Sequence, residues 1–421
     1  MSADAPGETP PAPPSKGPLE PFPRTFYVAN AIELFERLAH YGMYVGLVLY
    51  LSNVVGYSDV ATGVLMGNFR LVGSLAPIPC GTIADRISFK RSLILAFCLY
   101  ACGYLGLFLF PTTEITPFSL LLIAVGGGFL KPVITGTVVR TAPKGRETEG
   151  FAVFYRMVNS GSVIGKLLAY SVRVLVKLRF VMLNSLAAVL IALGLAVFLY
   201  DEPTRGKAKP EPLLAILRGY GTALKNLRFS AFLVIFAGFY FMAEQFYMTF
   251  PKYVTRHIDA KAPLEFITLI NPLLIALFQG FVTRSTKALR PVTTMVMGVV
   301  IASISMLVMG AVPGLVGACI SGAIFALAEM TFSPRFYAYI GSFAPEGKAG
   351  MYMGLAFVPS AIGAWIGGQA SGVLIARYLP AEGARSPLSI WSIYAALGLV
   401  CALLMLIYRK VTLRAEEAVA S

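Results

Sequence analysis

Charge is what this sequence has least of. Asp, Glu, Lys and Arg make up 13% of its 421 residues, about half the share usual in soluble domains. That scarcity excludes a soluble multi-domain chain, whose helices would need polar faces most of these segments lack. Histidine is nearly absent too, with two residues in separate segments. Five cysteines, Cys80, Cys98, Cys102, Cys319 and Cys401, all fall in apolar runs, so no metal centre and no disulfide framework is expected. They read as small buried residues. Nucleophiles with a nearby base are missing as well, and the glycine run at Gly126 is not followed by Lys-Ser/Thr, so no enzyme is expected.

Hydrophobic residues are abundant, at 57% with a mean hydropathy of +0.73. This is the composition of an integral membrane protein, with the lipid bilayer as its first partner. The net charge of +14 does not point to nucleic acid, because the basic residues punctuate apolar runs instead of forming a patch. Runs of spanning length, roughly 20 residues, lie near 26–51, 60–83, 92–111, 116–139, 150–176, 179–200, 230–254, 264–283, 291–312, 314–341, 349–377 and 388–409. The expected fold is therefore all-α, with twelve transmembrane helices. With both termini inside, 21 lysines and arginines fall on the inner side and 7 on the outer, so the positive-inside rule predicts cytoplasmic termini.

Residues 1–25, rich in Pro, Ala, Gly and Ser, are expected to form a disordered cytoplasmic tail. Residues 201–229 read as a polar, proline-bearing linker between an N-terminal bundle (26–200) and a C-terminal bundle (230–410), with a second tail over 411–421. Two six-helix bundles joined this way resemble the architecture of the major facilitator superfamily, which implies a site between the halves.

One span breaks the apolar rule. Glu33, Glu36, Arg37, His40, Tyr41 and Tyr44 fall within roughly 140° of a helix advancing about 100° per residue, and Glu33 and Arg37 have the favourable i,i+4 order for an ion pair. Such a face must look into a bundle or a cavity, since charge in hydrocarbon is costly. Lys131 lies mid-span before Pro132 and needs a carboxylate partner, for which Glu33 and Glu36 are the candidates. Glu244 and Glu329 are the acids most plainly inside later spans, and Tyr240, Glu244 and Tyr247 share one helix face.

These residues carry a resemblance. E-L-F-E-R-L-A-H-Y-G (33–42) resembles the E-x-x-E-R-F-x-Y-Y-G signature of the proton-coupled oligopeptide transporter family. G-T-I-A-D-R (81–86), G-G-G-F-L-K-P (126–132), F-Y-R-M-V-N-S-G-S (154–162), E-M-T-F-S-P (329–334) and Asn271-Pro272 also resemble its patterns. The resemblance implies a secondary transporter that couples proton flow to the uptake of di- or tripeptides, or a related small solute, by alternating access. It implies proton coupling through Glu33, Glu36, Arg37, Lys131 and Glu244. Glu329 would hold the peptide amino terminus, and Arg37 and Lys131 its carboxylate. Tyr41, Asn159 and Asn271 would bond its backbone, with His40 among the substrate-facing groups, and Asp85 and Arg86 would form a gating charge network. The expected cofactors are none, with a proton as coupling ion. The remaining expectations are a peptide or other small-molecule substrate, a functional monomer and a bacterial inner membrane.

Departures from the pattern are local. His40 replaces the first of the paired tyrosines, and the seventh span lacks an expected tryptophan. Arg37, Arg70, Lys131, Arg156, Lys166, Arg173 and Arg335 outnumber the acids in the spans, which predicts a positive cavity suited to an acidic ligand. The alternatives are a proton-linked carrier or exporter of another organic anion or drug, and a non-transporting membrane receptor on the same fold.

Overall fold

A computed structural model describes residues 20–143, 146–203, 213–345 and 348–420, and they are helical almost throughout. The first helices are α1 (Arg24–Tyr50), α2 (Asp59–Leu75), α3 (Pro77–Ile87), α4 (Phe89–Leu109), α5 (Ile115–Thr141), α6 (Glu147–Leu175) and α7 (Phe180–Phe198). After a short α8 (Leu213–Leu224) come α9 (Leu227–Ala243), α10 (Gln245–Met248), α11 (Phe250–Tyr253), α12 (Leu264–Ile267) and α13 (Ile270–Ser285). The chain closes with α14 (Pro291–Ala311), α15 (Gly314–Ser342), α16 (Ala349–Leu355), α17 (Phe357–Tyr378) and α18 (Pro387–Ala420).

Ten helical segments among the described residues are long and apolar enough to cross a membrane. Outward-pointing Phe198, Leu227, Val234, Phe281 and Val316 give the lipid-facing surface that such helices require. Two other segments, α2–α3 and α6, are also helical and packed among them. The first is interrupted at Ala76–Pro77, where proline removes a backbone donor. The second carries Arg156, Lys166 and Arg173.

Helices α1 to α7 pack on one another, as do α9 to α18, and the two sets meet chiefly through α2 against α17. That contact is a backbone approach. A Cβ on Gly63 would lie 2.3 Å from the Gly368 carbonyl oxygen, so only glycine lets these helices come this close.

Three boundaries differ from the sequence expectation. Most of the first tail (residues 1–19) lies outside the described residues, but Phe22 is buried and stacks on Phe26 at 4.2 Å, and α1 begins at Arg24. The linker contains α8, an amphipathic helix whose Gly219 lies against Met351 of α16. The second tail does not start as a tail, because α18 continues helically to Ala420.

Candidate functional site

Helices broken at particular residues build the site. Between α9 and α10 the helix is interrupted at Glu244. Between α12 and α13 the break lies next to Pro272, which has no N–H to give the Thr268 carbonyl four residues before it. Lys166 of α6 fills that vacancy, donating from Nζ to Thr268 O at 3.0 Å. Pro132 lies within α5 and Pro334 within α15, beside Lys131 and one turn after Glu329.

These elements enclose a cavity of about 560 Å³, within the range of small-ligand sites. Its charged lining is Arg70, Lys131, Lys166, Glu244 and Glu329, and its wall is largely aromatic, including Tyr41, Tyr155, Tyr240, Tyr247 and Tyr337. Tyr155, Asn159, Ser162 and Lys166 follow one face of α6, at spacings that repeat a helical stripe. Tyr155 is exposed and Lys166 only 1% exposed. The cavity is thus open near the end of the molecule that carries residue 24 and closes toward the opposite, far end. A smaller cavity of about 160 Å³ lies beside it, lined by Arg37, His40, Tyr44 and Tyr100 and sharing Tyr41, Arg70, Lys131, Glu244 and Tyr247 with the larger one.

Buried beneath the smaller cavity is the charge cluster of α1. Arg37 Nε lies 3.2 Å from Glu33 Oε1 and also donates to Glu36. The Tyr100 hydroxyl donates to the other Glu36 oxygen at 2.7 Å. Glu36 is fully buried and Glu33 nearly so. An ion triad of this kind survives burial only when its remaining oxygens are hydrogen-bonded, and Tyr100 supplies that bond.

Lys131 does not pair with the glutamates expected for it. Glu33 and Glu36 are both taken by Arg37, so Lys131 makes no ion pair among the described residues. Its Nζ lies 6.0 Å from the ring centroid of Phe357 on α17, within electrostatic range of both glutamates. Lys131, and not Arg37, therefore lines the main cavity, together with Arg70 and Lys166. His40 also lies away from that wall, its ring stacked on Tyr44 at 5.5 Å in the smaller cavity.

Across the cavity, Asn271 donates from Nδ2 to Glu329 Oε2 at 3.0 Å. Asn271 is thus a carboxylate-orienting residue as well as a cavity-lining one. Asn159 and Tyr41 line the same space. Asp85 accepts from Arg140 at 3.3 Å within the first half of the chain, while Arg86 is exposed.

The basic surplus largely dissolves. Arg70 donates to Glu244. Arg173 forms a two-pronged pair with Glu265, at 2.6 and 2.7 Å. Arg335 donates to Thr286 O at 3.2 Å, and Arg156 is exposed. Sequence reading missed one ion cluster altogether. Lys252 and Arg256 both bind Asp59 of α2, with Arg256 at 2.8 Å to each carboxylate oxygen. Lys252 is 1% exposed, too buried for a charge that only sets topology. Its position one turn before Arg256, on the face that meets the chain's first half, was the available signal.

The chain belongs to the Major Facilitator Superfamily, whose family description matches residues 32–368; it is a membrane transporter and not an enzyme. It is 31% identical to Peptide transporter family 1 of Drosophila melanogaster over 35% of its own length, a match spanning 21% of that relative. It is 24% identical to the Multidrug resistance protein MdtH of Shigella dysenteriae over 74% of the chain and 77% of the relative. Its fold is similar to that of a solved POT family transporter in complex with 5-aminolevulinic acid, with a TM-score of 0.77 and 19% identity over 92% of this chain and 96% of that one.

Proposed function

We propose that this protein is a proton-coupled symporter of di- and tripeptides, or of a closely related small solute, working by alternating access. The observation that carries the reading is the cavity's polarity. Lys131, with no ion partner among the described residues, stands on one wall and Glu329, oriented by Asn271, on the other. A peptide backbone offers a carboxylate and an ammonium that match these two groups, and the aromatic wall suits varied side chains.

Proton coupling is assigned to Glu33 and Glu36, with Glu244 as a second acid. Adding a proton to a carboxylate oxygen removes the charge that holds Arg37, or Arg70 in the case of Glu244, and so biases the equilibrium between access states. The assignment includes twelve spans in two six-helix bundles, cytoplasmic termini and the bacterial inner membrane. Under that topology the cavity opens to the cytoplasm, and the far-end ion pairs form the closed outer gate. No cofactor beyond the coupling proton is required, and the monomer is the working unit.

A second reading, export of a drug-like solute, is favoured by the MdtH relative, which matches three-quarters of the chain. Uptake of radiolabelled dipeptide into proteoliposomes under an imposed proton gradient separates the two. Accumulation that competing dipeptides suppress supports symport. Absence of dipeptide accumulation, with gradient-driven movement of a drug instead, supports export, and no flux of either leaves the receptor reading.

A further inference from the structure

Among the described residues, five charged side chains line the main cavity, and their pairing is unequal. Arg70 and Glu244 neutralise each other. That leaves two lysines, Lys131 and Lys166, facing a single carboxylate, Glu329. A zwitterionic peptide with a neutral side chain brings one anion and one cation. Once its carboxylate meets Lys131 and its ammonium meets Glu329, the charge of Lys166 has no new partner.

Lys166 is built to take one. Its 1% exposure places the ammonium in the cavity wall and not at a lipid interface. The Thr268 carbonyl uses one of its three N–H donors, and the face of Tyr41 lies 5.7 Å from Nζ. Glu329 on α15 is within electrostatic range but is bound by Asn271 instead. Burying an ammonium with one carbonyl as its hydrogen-bond partner among the described residues is costly, and an anion delivered by the ligand would offset that cost.

We propose that Lys166 receives a second anionic group of the substrate, so that the preferred substrates are small peptides with an acidic side chain, carrying two carboxylates and one free amino terminus. This rests on the peptide reading above. The competing role for Lys166 is a fixed counter-charge for Glu329, which would affect all peptides alike.

The test compares Ala-Glu with its neutral isostere Ala-Gln at pH 7, where the side-chain carboxylate is ionised. Two readouts on the full-length protein serve: competition against radiolabelled Ala-Ala uptake in proteoliposomes, and thermal stabilisation of the detergent-purified protein. Ala-Glu is expected to be about tenfold the stronger ligand, the scale of one charge-assisted hydrogen bond. Lys166→Gln should bring the Ala-Glu to Ala-Gln ratio close to one whatever it does to absolute rates, and Lys166→Arg should retain the preference. A wild-type ratio near one overturns the proposal, as does a ratio that Lys166→Gln leaves unchanged. Neither competition nor stabilisation by any dipeptide would overturn the peptide reading and this inference with it.

Discussion

Arg70 of α2 donates to Glu244 at the break between α9 and α10, tying the first half of the chain to the second at the boundary of both cavities. The Tyr44 hydroxyl donates to the other Glu244 oxygen at 3.3 Å. Removing one partner of a buried pair costs about 3–5 kcal/mol because the other charge is left uncompensated. Arg70→Met is therefore expected to destabilise the purified protein more than Arg70→Met combined with Glu244→Gln, and thermal melting of the single and double variants checks this. Equal loss in both would mean that the two residues act separately.

Farther from the open end, Asp59 holds both Lys252 and Arg256. Asp59→Asn leaves Lys252 buried without its ion partner and should open this end, at a cost to the closed state of about 3–5 kcal/mol. With the five native cysteines replaced, a cysteine introduced at Ala262, which is 1% exposed, should react faster with a membrane-impermeant maleimide in the variant than in the same background with Asp59 intact. Unchanged reactivity would remove Asp59 from the lock.

The glycine contact between α2 and α17 makes a steric counterpart to that lock. In Gly368→Val, a side chain replaces the hydrogen that faces Gly63, where an added Cβ would lie 2.5 Å from the Gly63 carbonyl oxygen. The expected result is a protein that inserts and folds but cannot close its far end, so the same cysteine stays reactive and uptake is lost. Normal uptake by this variant would show that the close approach is dispensable.

The α1 triad and Glu329 should separate coupling from binding. Glu33→Gln or Glu36→Gln is expected to abolish gradient-driven uptake while sparing part of the exchange between labelled and unlabelled substrate. Glu329→Ala should weaken dipeptide binding about tenfold to a hundredfold, the range for losing a charged hydrogen-bond partner. Binding measured on the purified protein, alongside the two transport modes, distinguishes these effects.

How much of this was legible in the sequence depended on whether a contact was local. The Glu33–Arg37 pair follows from spacing along one helix, and the membrane class follows from composition. The cavity-lining places of Lys131, Asn159, Asn271, Glu244 and Glu329 were also legible, because an ionisable or amide group inside an apolar run has few places to go. Contacts between distant segments were not. Nothing in the chain around Asp59 marks it as the partner of Lys252, 193 residues away, and Lys131 lost its expected partners because Arg37 lies nearer to both. The role of Lys166 toward the Thr268 carbonyl depends on Pro272 in another helix, so it emerges only when α6 and α12–α13 are brought together.

The most direct test of the central claim is dipeptide accumulation in proteoliposomes with and without an imposed proton gradient, using wild type and Glu36→Gln side by side. Wild type should show concentrative uptake that collapses when a protonophore is added, and Glu36→Gln should show none. Accumulation that ignores the protonophore, or that Glu36→Gln preserves, would contradict that claim.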